Sequence, residues 1–190
     1  MEGRGEWMQN DIDLTEENAA LKARIVELEA KVEKLERLAD SDTLTPLPNR
    51  RFFFRAIERA IAQRARHGTP AAVLFIDLDG LKHINDAHGH GVGDQALVHT
   101  AWVLREKIRA SDVVARIGGD EYGVLLEYAD ELGARDKAAA LEAAVAGSPL
   151  HGSIQLTASV GVATLQPGDT PEAALARADS SMYEAKRRRA

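Results

Sequence analysis

The sequence contains no cysteine and few aromatic residues. The absence of cysteine excludes disulfide bonds, thiolate metal sites and cysteine nucleophiles, and it fits a reducing compartment such as the cytoplasm. No apolar run approaches the ~20 residues that a membrane-spanning helix requires. The first residues are acidic where a signal peptide has a basic and then an apolar segment, so we expect a cytoplasmic protein without a membrane span.

Charge and length limit the remaining classes of protein. With 24 basic and 30 acidic residues, the net charge is −6, which argues against extended binding to nucleic acid. The 190 residues suffice for one globular domain with a substantial core and an appendage, and they are too few for two full domains.

A heptad repeat in residues 1–39 indicates a coiled coil. Its two core positions are occupied by Leu14, Leu21, Leu28 and Leu35 and by Asn18, Ile25, Val32 and Ala39. β-Branched residues opposite leucine favour a parallel dimer, and a single asparagine in the seam fixes the register. The flanking positions form attractive pairs between two parallel chains, namely Glu17–Lys22, Arg24–Glu29 and Lys31–Glu36. We therefore predict a parallel dimeric coiled coil, and a lone amphipathic helix packed on its own domain is the alternative.

The repeat stops after Ala39. Turn-forming residues and two prolines in residues 40–49 predict a joint, which begins a second region, residues 40–190. Periodicity in that region predicts helices near residues 50–66, 93–109 and 137–146, and strands at residues 71–79 and 154–163. A last helix is expected to begin at Pro171 with Thr170 as its cap. Gly161 suggests a bulge in its strand.

An acidic hairpin is the most informative segment of this region. Residues 112–126 read DVVARIGGDEYGVLL, with Gly118 and Gly119 between two apolar runs. Glycines can adopt the positive φ angles that tight hairpin turns need, so we predict a turn that holds Asp120 and Glu121 at its tip. Carboxylates that follow two residues without side chains leave room for a phosphate and a hard cation. A plain solvated turn is the alternative.

A second polar run, residues 77–94, directly follows a predicted buried strand. Asp77 closes that strand and could meet Asp120 across neighbouring strands. Two carboxylates assisted by substrate phosphates are the arrangement that Mg²⁺ prefers. Asn85 and Asp94 offer acceptors for the N1–H and amino donors of guanine, a pattern that adenine lacks. The two acidic segments therefore indicate a magnesium and guanine-nucleotide site.

Two other interpretations apply to the same run. A lone asparagine most often caps a helix or a turn, so Asn85 does not by itself require a ligand. The histidines His83, His88 and His90 could suggest zinc, but no second group of ligands accompanies them in the sequence.

The run 77–94, followed by the residues RIGGDEY at 116–122, resembles the GGDEF family of diguanylate cyclases. The similarity extends from Asp42-Thr-Leu-Thr to Tyr183-Glu-Ala-Lys186. This resemblance implies an α/β (α+β) fold in which helices wrap a central, mainly antiparallel sheet, similar to class III nucleotidyl cyclases and polymerase palms. It also implies that two GTP molecules are condensed into cyclic di-GMP with release of two pyrophosphates.

The resemblance also implies a role for each matching residue. It implies that Mg²⁺ or Mn²⁺ is held by Asp77, Asp120 and the Leu78 carbonyl, and that Asp120 also activates the ribose 3′-hydroxyl. Lys82 matches a stabiliser of the transition state. The substrate-binding positions are Asn85, His90, Asp94, Glu121 and Lys186; among them, Asn85 and Asp94 read guanine and Lys186 contacts the triphosphate.

Upstream of the hairpin, Arg109-Ala-Ser-Asp112 matches the family's R-x-x-D inhibitory site, which implies feedback by the product. A surface ion pair is the alternative explanation of this short pattern. The further arginine that some members supply has no clear counterpart in residues 137–141. Because one domain holds one GTP, two domains must face each other, and a dimeric stalk raises the local concentration of the second half-site.

Several residues depart from the family pattern. Tyr122 replaces phenylalanine, with little effect expected, and Leu81 stands where phenylalanine is usual. Pro46 replaces a glycine, and its fixed φ should stiffen the joint. The arginine expected after Lys186 would have to come from Arg187, Arg188 or Arg189, and Met182 and Tyr183 are expected to be core contacts.

Three functions follow from this sequence. The first is an active, product-inhibited diguanylate cyclase dimerised by its stalk, on which an upstream regulator could act. The second is a catalytically silent module that binds GTP or cyclic di-GMP, and the third is a structural coiled-coil protein without nucleotide affinity. The presence of both Asp77 and Asp120 favours the first.

Overall fold

The computed structural model describes the backbone of residues 3–189 and the side chains of residues 17–32, 35 and 39–187. Contacts between Cα atoms divide the chain into two units between residues 39 and 40. No helix in the described part of the chain combines the length and the apolar character needed to cross a membrane.

Helix α1 (Gly3–Asp40) supplies the first unit. The described apolar residues of the heptad, Leu21, Ile25, Leu28, Val32 and Leu35, are 45–64% exposed. The side chains of Leu14 and Glu36, which belong to the predicted seam and its flanking pairs, lie outside those described. The helix therefore carries an exposed apolar stripe over the described positions.

The second unit is an α+β fold, which confirms the predicted class. Its elements are α2 (Arg50–His67), β1 (Ala71–Leu78), α3 (Leu81–His88), α4 (His90–Glu106), β2 (Val113–Arg116), β3 (Glu121–Glu127), α5 (Glu131–Ala146), β4 (Ala158–Thr164) and α6 (Pro171–Arg189). The four strands form an antiparallel sheet in the order β2-β3-β1-β4. Helices α3, α4 and α5 pack on one face, and α2 and α6 pack on the other.

Strand β1 lies at the centre of the sheet and determines which side chains enter each core. Because strand side chains alternate, Leu74 and Ile76 face the core that includes α4 and α5, whereas Val73 and Phe75 face the core that includes α2 and α6. All four are less than 8% exposed. The continuous apolar run in the sequence reflects this burial on both faces.

The polar run 77–94 contains the end of β1, helix α3 and the start of helix α4, and the sequence pattern did not predict α3. Helix α3 has only eight residues and buries one of them, Ile84, so it is too short for its apolar pattern to distinguish it from a loop in the sequence. Gly80 and Gly89 have φ angles of 71° and 85° and separate α3 from β1 and from α4. Helix α4 consequently begins at His90, three residues before the predicted position 93.

Other boundaries differ for local reasons. Helix α5 begins at Glu131, not at 137, because the Asp130 carboxylate accepts a hydrogen bond from the Gly133 nitrogen and caps the helix. Strand β4 begins at Ala158, not at 154. The start of α6 is confirmed at Pro171, where the Thr170 hydroxyl accepts a hydrogen bond of 3.2 Å from the Ala173 nitrogen.

The predicted bulge at Gly161 is wrong, because β4 pairs with β1 without an interruption from Ala158 to Thr164. The glycine serves a close approach between elements instead. A Cβ atom at position 161 would lie 2.0 Å from the Ala178 carbonyl oxygen and 2.4 Å from the Met182 nitrogen. Gly161 therefore allows α6 to pack directly on the backbone of β4.

Replacing Gly161 by alanine should destabilise the second unit by about 3 kcal/mol, because the added methyl group collides with backbone that cannot rotate away. Urea unfolding measures the change. Gly91→Ala is the matched control, since a Cβ at that helical position meets no described atom within 4 Å. The control should be neutral or slightly stabilising. Equal stabilities of the two variants would contradict this account of Gly161.

Candidate nucleotide and metal site

The antiparallel pairing of β1 with β3 brings the two acidic segments together. Asp77, near the end of β1, lies opposite Glu121, the first residue of β3. The Leu78 nitrogen donates a hydrogen bond of 3.0 Å to the Asp120 carbonyl oxygen. The predicted metal positions Asp77, Leu78 and Asp120 therefore meet at one edge of the sheet.

The turn between β2 and β3 has a different backbone from the one expected. Neither Gly118 nor Gly119 has a positive φ angle, so the expectation based on left-handed glycines is wrong. A Cβ at Gly118 would lie 2.0 Å from a carboxylate oxygen of Glu121, whereas a Cβ at Gly119 meets no described atom within 4 Å. The first glycine makes room for Glu121, and the second leaves open space beside Asp120.

Lys186, on α6, is bound to the acidic edge. Its Nζ atom lies 2.5 Å from Asp77 Oδ1 and 3.0 Å from Asp79 Oδ1. Burial acts to lower the pKa of Lys186, but its hydrogen bonds to these two carboxylates outweigh burial and raise that pKa. The ammonium group thus holds a position between two carboxylates that is suited to a cation.

Glu121 has a raised pKa, caused first by burial and then by the negative charges of Asp120, Asp77 and Asp179. The acids at this edge therefore repel one another, and a divalent cation would relieve that repulsion. Among the described residues, no group of three or more histidine, aspartate or glutamate side chains is arranged to hold a metal. Two carboxylates fit Mg²⁺ or Mn²⁺ when substrate phosphates complete the coordination.

The predicted nucleotide residues lie on α3 and α4, directly after β1. The Asn85 side chain packs over Gly93, whose added Cβ would lie 1.8 Å from Asn85 Oδ1, and Asp94 is the next residue. Asn85 lies inside α3, so it does not cap that helix. His90 begins α4, and Lys82 lies in the first turn of α3. The side chains of Lys82, His90 and Asp94 are exposed.

The two residues of the R-x-x-D pattern lie away from the acidic edge. The Asp112 carboxylate accepts hydrogen bonds from the Arg109 nitrogen at 3.1 Å and the Glu127 nitrogen at 3.3 Å. Glu127 ends β3, at ~20 Å from its first residue at strand geometry. Arg109 is exposed, and both residues line a cavity of about 450 Å³ beside the joint.

Lys137 lies near the two residues of the R-x-x-D pattern. With Arg109 and Asp112 it lines a neighbouring cavity of about 290 Å³. Its Nζ atom donates a hydrogen bond of 3.0 Å to the Lys107 carbonyl oxygen. The segment 137–141 therefore contributes a cation to this region, although it contains no arginine.

The remaining motif residues divide between core and surface. Tyr122 is buried, and its hydroxyl donates a hydrogen bond of 2.8 Å to the Leu97 carbonyl oxygen. Burial raises the pKa of Tyr122. Met182 is 7% exposed, as expected of a core contact, but Tyr183 is 61% exposed, so that expectation is wrong. Arg187 is exposed, and the side chains of Arg188 and Arg189 lie outside those described.

Two residues near the site were missed in the sequence. Asp79 binds Lys186 and accepts hydrogen bonds of 2.9 and 3.2 Å from the Ser159 hydroxyl. Arg116 donates to the Gly119 carbonyl oxygen at 2.7 Å and contacts the carboxylate of Asp42 at 3.2 Å. The position of Arg116, two residues before the glycine pair, could have indicated a role at the turn. Its carboxylate partner, Asp42, is 74 residues away and could not be predicted from it.

This chain is similar to known proteins in sequence and in fold. The family described as "Diguanylate cyclase, GGDEF domain" matches residues 39–190. The diguanylate cyclase TpbB of Pseudomonas aeruginosa is 42% identical over 154 residues, which cover 78% of this chain and 35% of the relative. The chain spans between 22% and 35% of the length of the curated relatives that it matches.

Two solved structures resemble nearly the whole chain. One is the coiled coil and GGDEF domain of DgcB from Caulobacter crescentus in complex with c-di-GMP; the TM-score is 0.80 at 27% identity, over 92% of this chain and 94% of that one. The other is the diguanylate cyclase SiaD of P. aeruginosa in complex with its activator SiaC; the TM-score is 0.79 at 28% identity, over 97% of this chain and 72% of that one.

Proposed function

Because this chain belongs to the diguanylate cyclase GGDEF-domain family, we propose that it condenses two GTP molecules into cyclic di-GMP and releases two pyrophosphates. The observation that carries this proposal is the convergence of Asp77 and Asp120, joined through the 3.0 Å bond from the Leu78 nitrogen to the Asp120 carbonyl. GTP is a cytoplasmic nucleotide, so the proposed reaction takes place in the cytoplasm.

The acidic edge holds the reacting phosphate. Asp77, Asp120 and the Leu78 carbonyl would hold Mg²⁺ or Mn²⁺, which supplies positive charge to polarise the α-phosphate and neutralise pyrophosphate. Asp120 accepts the proton of the ribose 3′-hydroxyl. A bond forms between that oxygen and the α-phosphorus of the other GTP, while the bond from the α-phosphorus to pyrophosphate breaks.

Two lysines and residues of helices α3 and α4 contact the rest of the nucleotide. Lys186 binds Asp77 and Asp79 in this structure, and in the nucleotide complex its ammonium would contact the triphosphate. Lys82, exposed on the first turn of α3, stabilises charge in the transition state. Asn85 and Asp94 accept the donors of guanine, since the Asn85 amide lies over the backbone next to Asp94.

His90 and Glu121 complete the proposed substrate contacts. His90 begins α4 at the exposed side of the Asn85 and Asp94 region. Glu121 lies opposite Asp77 in the sheet, and burial together with neighbouring acids raises its pKa. A bound metal nucleotide would relieve that repulsion, so Glu121 favours the arrival of positive charge with the substrate.

Two copies of the chain are needed, because one acidic edge serves one GTP. The exposed stripe on α1 supports a parallel coiled coil, with Asn18 fixing its register. In the single chain, Arg24 and Lys31 both bind Glu27 at 2.6 Å, and in the dimer they turn to the partner's glutamates. SiaD, which this chain resembles, was solved in complex with an activator, and this supports an upstream regulator for this chain as well. We place the action of that regulator on the stalk.

Asp120→Asn should lower kcat by about 1,000-fold, because the amide neither takes the proton nor supplies the metal charge. Cyclic di-GMP formation from GTP and Mg²⁺ is measured by liquid chromatography. Asp136→Asn, at an exposed position on α5, is the control for loss of one charge and should keep the wild-type rate. Absence of product from the wild type at every protein concentration would favour the silent binding module.

Leu28→Lys should weaken the dimer, because it places two charges in the proposed seam. Its activity per chain should fall steeply on dilution and recover at high concentration, while the wild type stays constant over the same range. Val26→Lys is the matched control, since Val26 is 65% exposed and lies outside the seam. Sedimentation measures the association state. Equal behaviour of the two variants would contradict the coiled-coil assignment.

Arg109→Ala should relieve product inhibition and raise the cyclic di-GMP concentration for half-inhibition by about 10- to 100-fold, since charge-assisted hydrogen bonds to the product are lost. The initial rate should be unchanged, because Arg109 lies beyond the far end of β3 from Asp120. Arg135→Ala, at an exposed position on α5, is the control. Unchanged inhibition in Arg109→Ala would exclude this R-x-x-D site.

A further inference from the structure

The turn that carries Asp120 is fixed through its backbone carbonyl groups. The Asp120 carbonyl accepts from the Leu78 nitrogen at 3.0 Å, and the Glu121 carbonyl accepts from the Ile117 nitrogen at 2.9 Å. The Gly119 carbonyl accepts from a side chain instead, namely Arg116 Nε at 3.2 Å and Nη2 at 2.7 Å. The carbonyl next to Asp120 is thus held by a residue on the preceding strand.

The third nitrogen of the Arg116 guanidinium binds Asp42. Its Nη1 atom lies 3.2 Å from Asp42 Oδ1 and 3.4 Å from Oδ2. The two side chains are 14% and 16% exposed. Burial acts to raise the pKa of Asp42, but hydrogen bonds from Thr45 and Arg116 outweigh it and lower that pKa. Asp42 is therefore ionised at neutral pH.

Asp42 is itself held firmly. Its Oδ1 atom accepts hydrogen bonds of 2.7 Å from both the nitrogen and the hydroxyl of Thr45, and its nitrogen donates to the Leu47 carbonyl at 2.9 Å. The carboxylate is thus an anchor with little freedom of its own. Arg116 connects this anchor to the Gly119 carbonyl.

The chemistry of arginine suits this connection. Its planar guanidinium presents donors in a rigid fork, so one group can bind a carboxylate on one side and a carbonyl on the other. The recipient segment contains two successive glycines, whose backbone has the largest conformational freedom of any residue. Such a segment needs an external contact if the next residue is to keep one position.

We infer that Arg116 is a positioning residue: it fixes the backbone beside Asp120 by connecting the Gly119 carbonyl to the Asp42 carboxylate. The inference rests on the proposed role of Asp120 in the reaction. A displacement of about 1 Å in a reacting group can cost 100-fold in rate.

A purely structural role would be to dock the joint on the sheet, but the backbone already does so. The Arg116 nitrogen donates to the Pro48 carbonyl at 3.0 Å, and Asn49 forms a parallel bridge with residue 116. These bonds do not involve the guanidinium and survive its replacement. The Arg116 side chain is therefore needed to hold the glycine turn in place, whereas the joint stays docked on the sheet without it.

The test compares Arg116→Lys with Arg177→Lys. Arg177 makes the same kind of connection, binding Asp169 at 2.7 Å and the Thr164 carbonyl at 3.0 Å. Thr164 ends β4, at the opposite end of that strand from Ser159, which pairs with Asp77. The control therefore removes an equivalent arginine bridge from a place remote from Asp120.

Arg116→Lys should lower kcat by about 10- to 100-fold with KM changed by less than about twofold, because the guanine-binding residues on α3 and α4 stay in place while Asp120 moves. Hydrogen exchange of the peptide 117–123 should be faster than in the wild type. Arg177→Lys should lose a similar amount of thermal stability and keep both kcat and the exchange of that peptide.

Asp42→Asn examines the other end of the connection. It should lower kcat in the same direction, and adding it to Arg116→Lys should cause less than the product of the two single losses, since both changes remove one contact path. Fully multiplicative losses would mean that Asp42 and Arg116 act separately, and this would overturn the inference.

Wild-type kcat in Arg116→Lys, or equal losses of kcat in Arg116→Lys and Arg177→Lys, would also overturn it. If the wild type makes no cyclic di-GMP, the proposed function fails and the exchange measurement decides alone. Faster exchange of residues 117–123 in Arg116→Lys, but not in Arg177→Lys, then supports the connection to the turn, and unchanged exchange overturns it.

Discussion

The register between β1 and β3 is the constraint on which the rest of the second unit depends. It sets Asp77 opposite Glu121 and the Leu78 nitrogen opposite the Asp120 carbonyl. Side chains alternate along a strand, so a slip of one residue would exchange the two faces of β1 and would separate these acids. Burial of Leu74 and Phe75 on opposite faces makes such a slip costly. Packing of both cores thus determines the geometry of the acidic edge.

Gathering acids at one edge opposes folding, and the chain offsets this cost with Lys186. Its ammonium binds Asp77 and Asp79. Burial, and after it the negative charges of the neighbouring acids, still hold the pKa of Glu121 above its ordinary value. The lysine comes from α6, whose close packing on β4 depends on Gly161. Gly161, although far from Asp77 and Asp79 in the sequence, therefore allows α6 to place the Lys186 ammonium beside them.

How much the sequence predicts depends on whether the responsible contact is local. The strand 71–78 and the start of α6 follow from neighbouring residues, and both were predicted nearly to the residue. Helix α3 was missed because it has only eight residues. The predicted bulge at Gly161 was wrong because that glycine makes room for Ala178 and Met182, which lie 17 and 21 residues later in the sequence. Asp77 and Asp120 were predicted as a pair because the sequence shows where each of their strands begins or ends. The contact from Arg116 to Asp42 spans 74 residues, and no feature of the neighbouring sequence indicates it.

The rigidity of the joint gives the contact between Arg116 and Asp42 its physical meaning. A contact between two segments restrains both of them, and the segment with more freedom of its own is restrained more. In the joint, the rings of Pro46 and Pro48 fix their φ angles. The φ angle of Pro46 is not positive, so the proline ring is compatible with the backbone there. On the other side lie two glycines with unrestricted backbones. Arg116 therefore connects the glycine turn to Asp42, which hydrogen bonds with Thr45 and Leu47 hold in place.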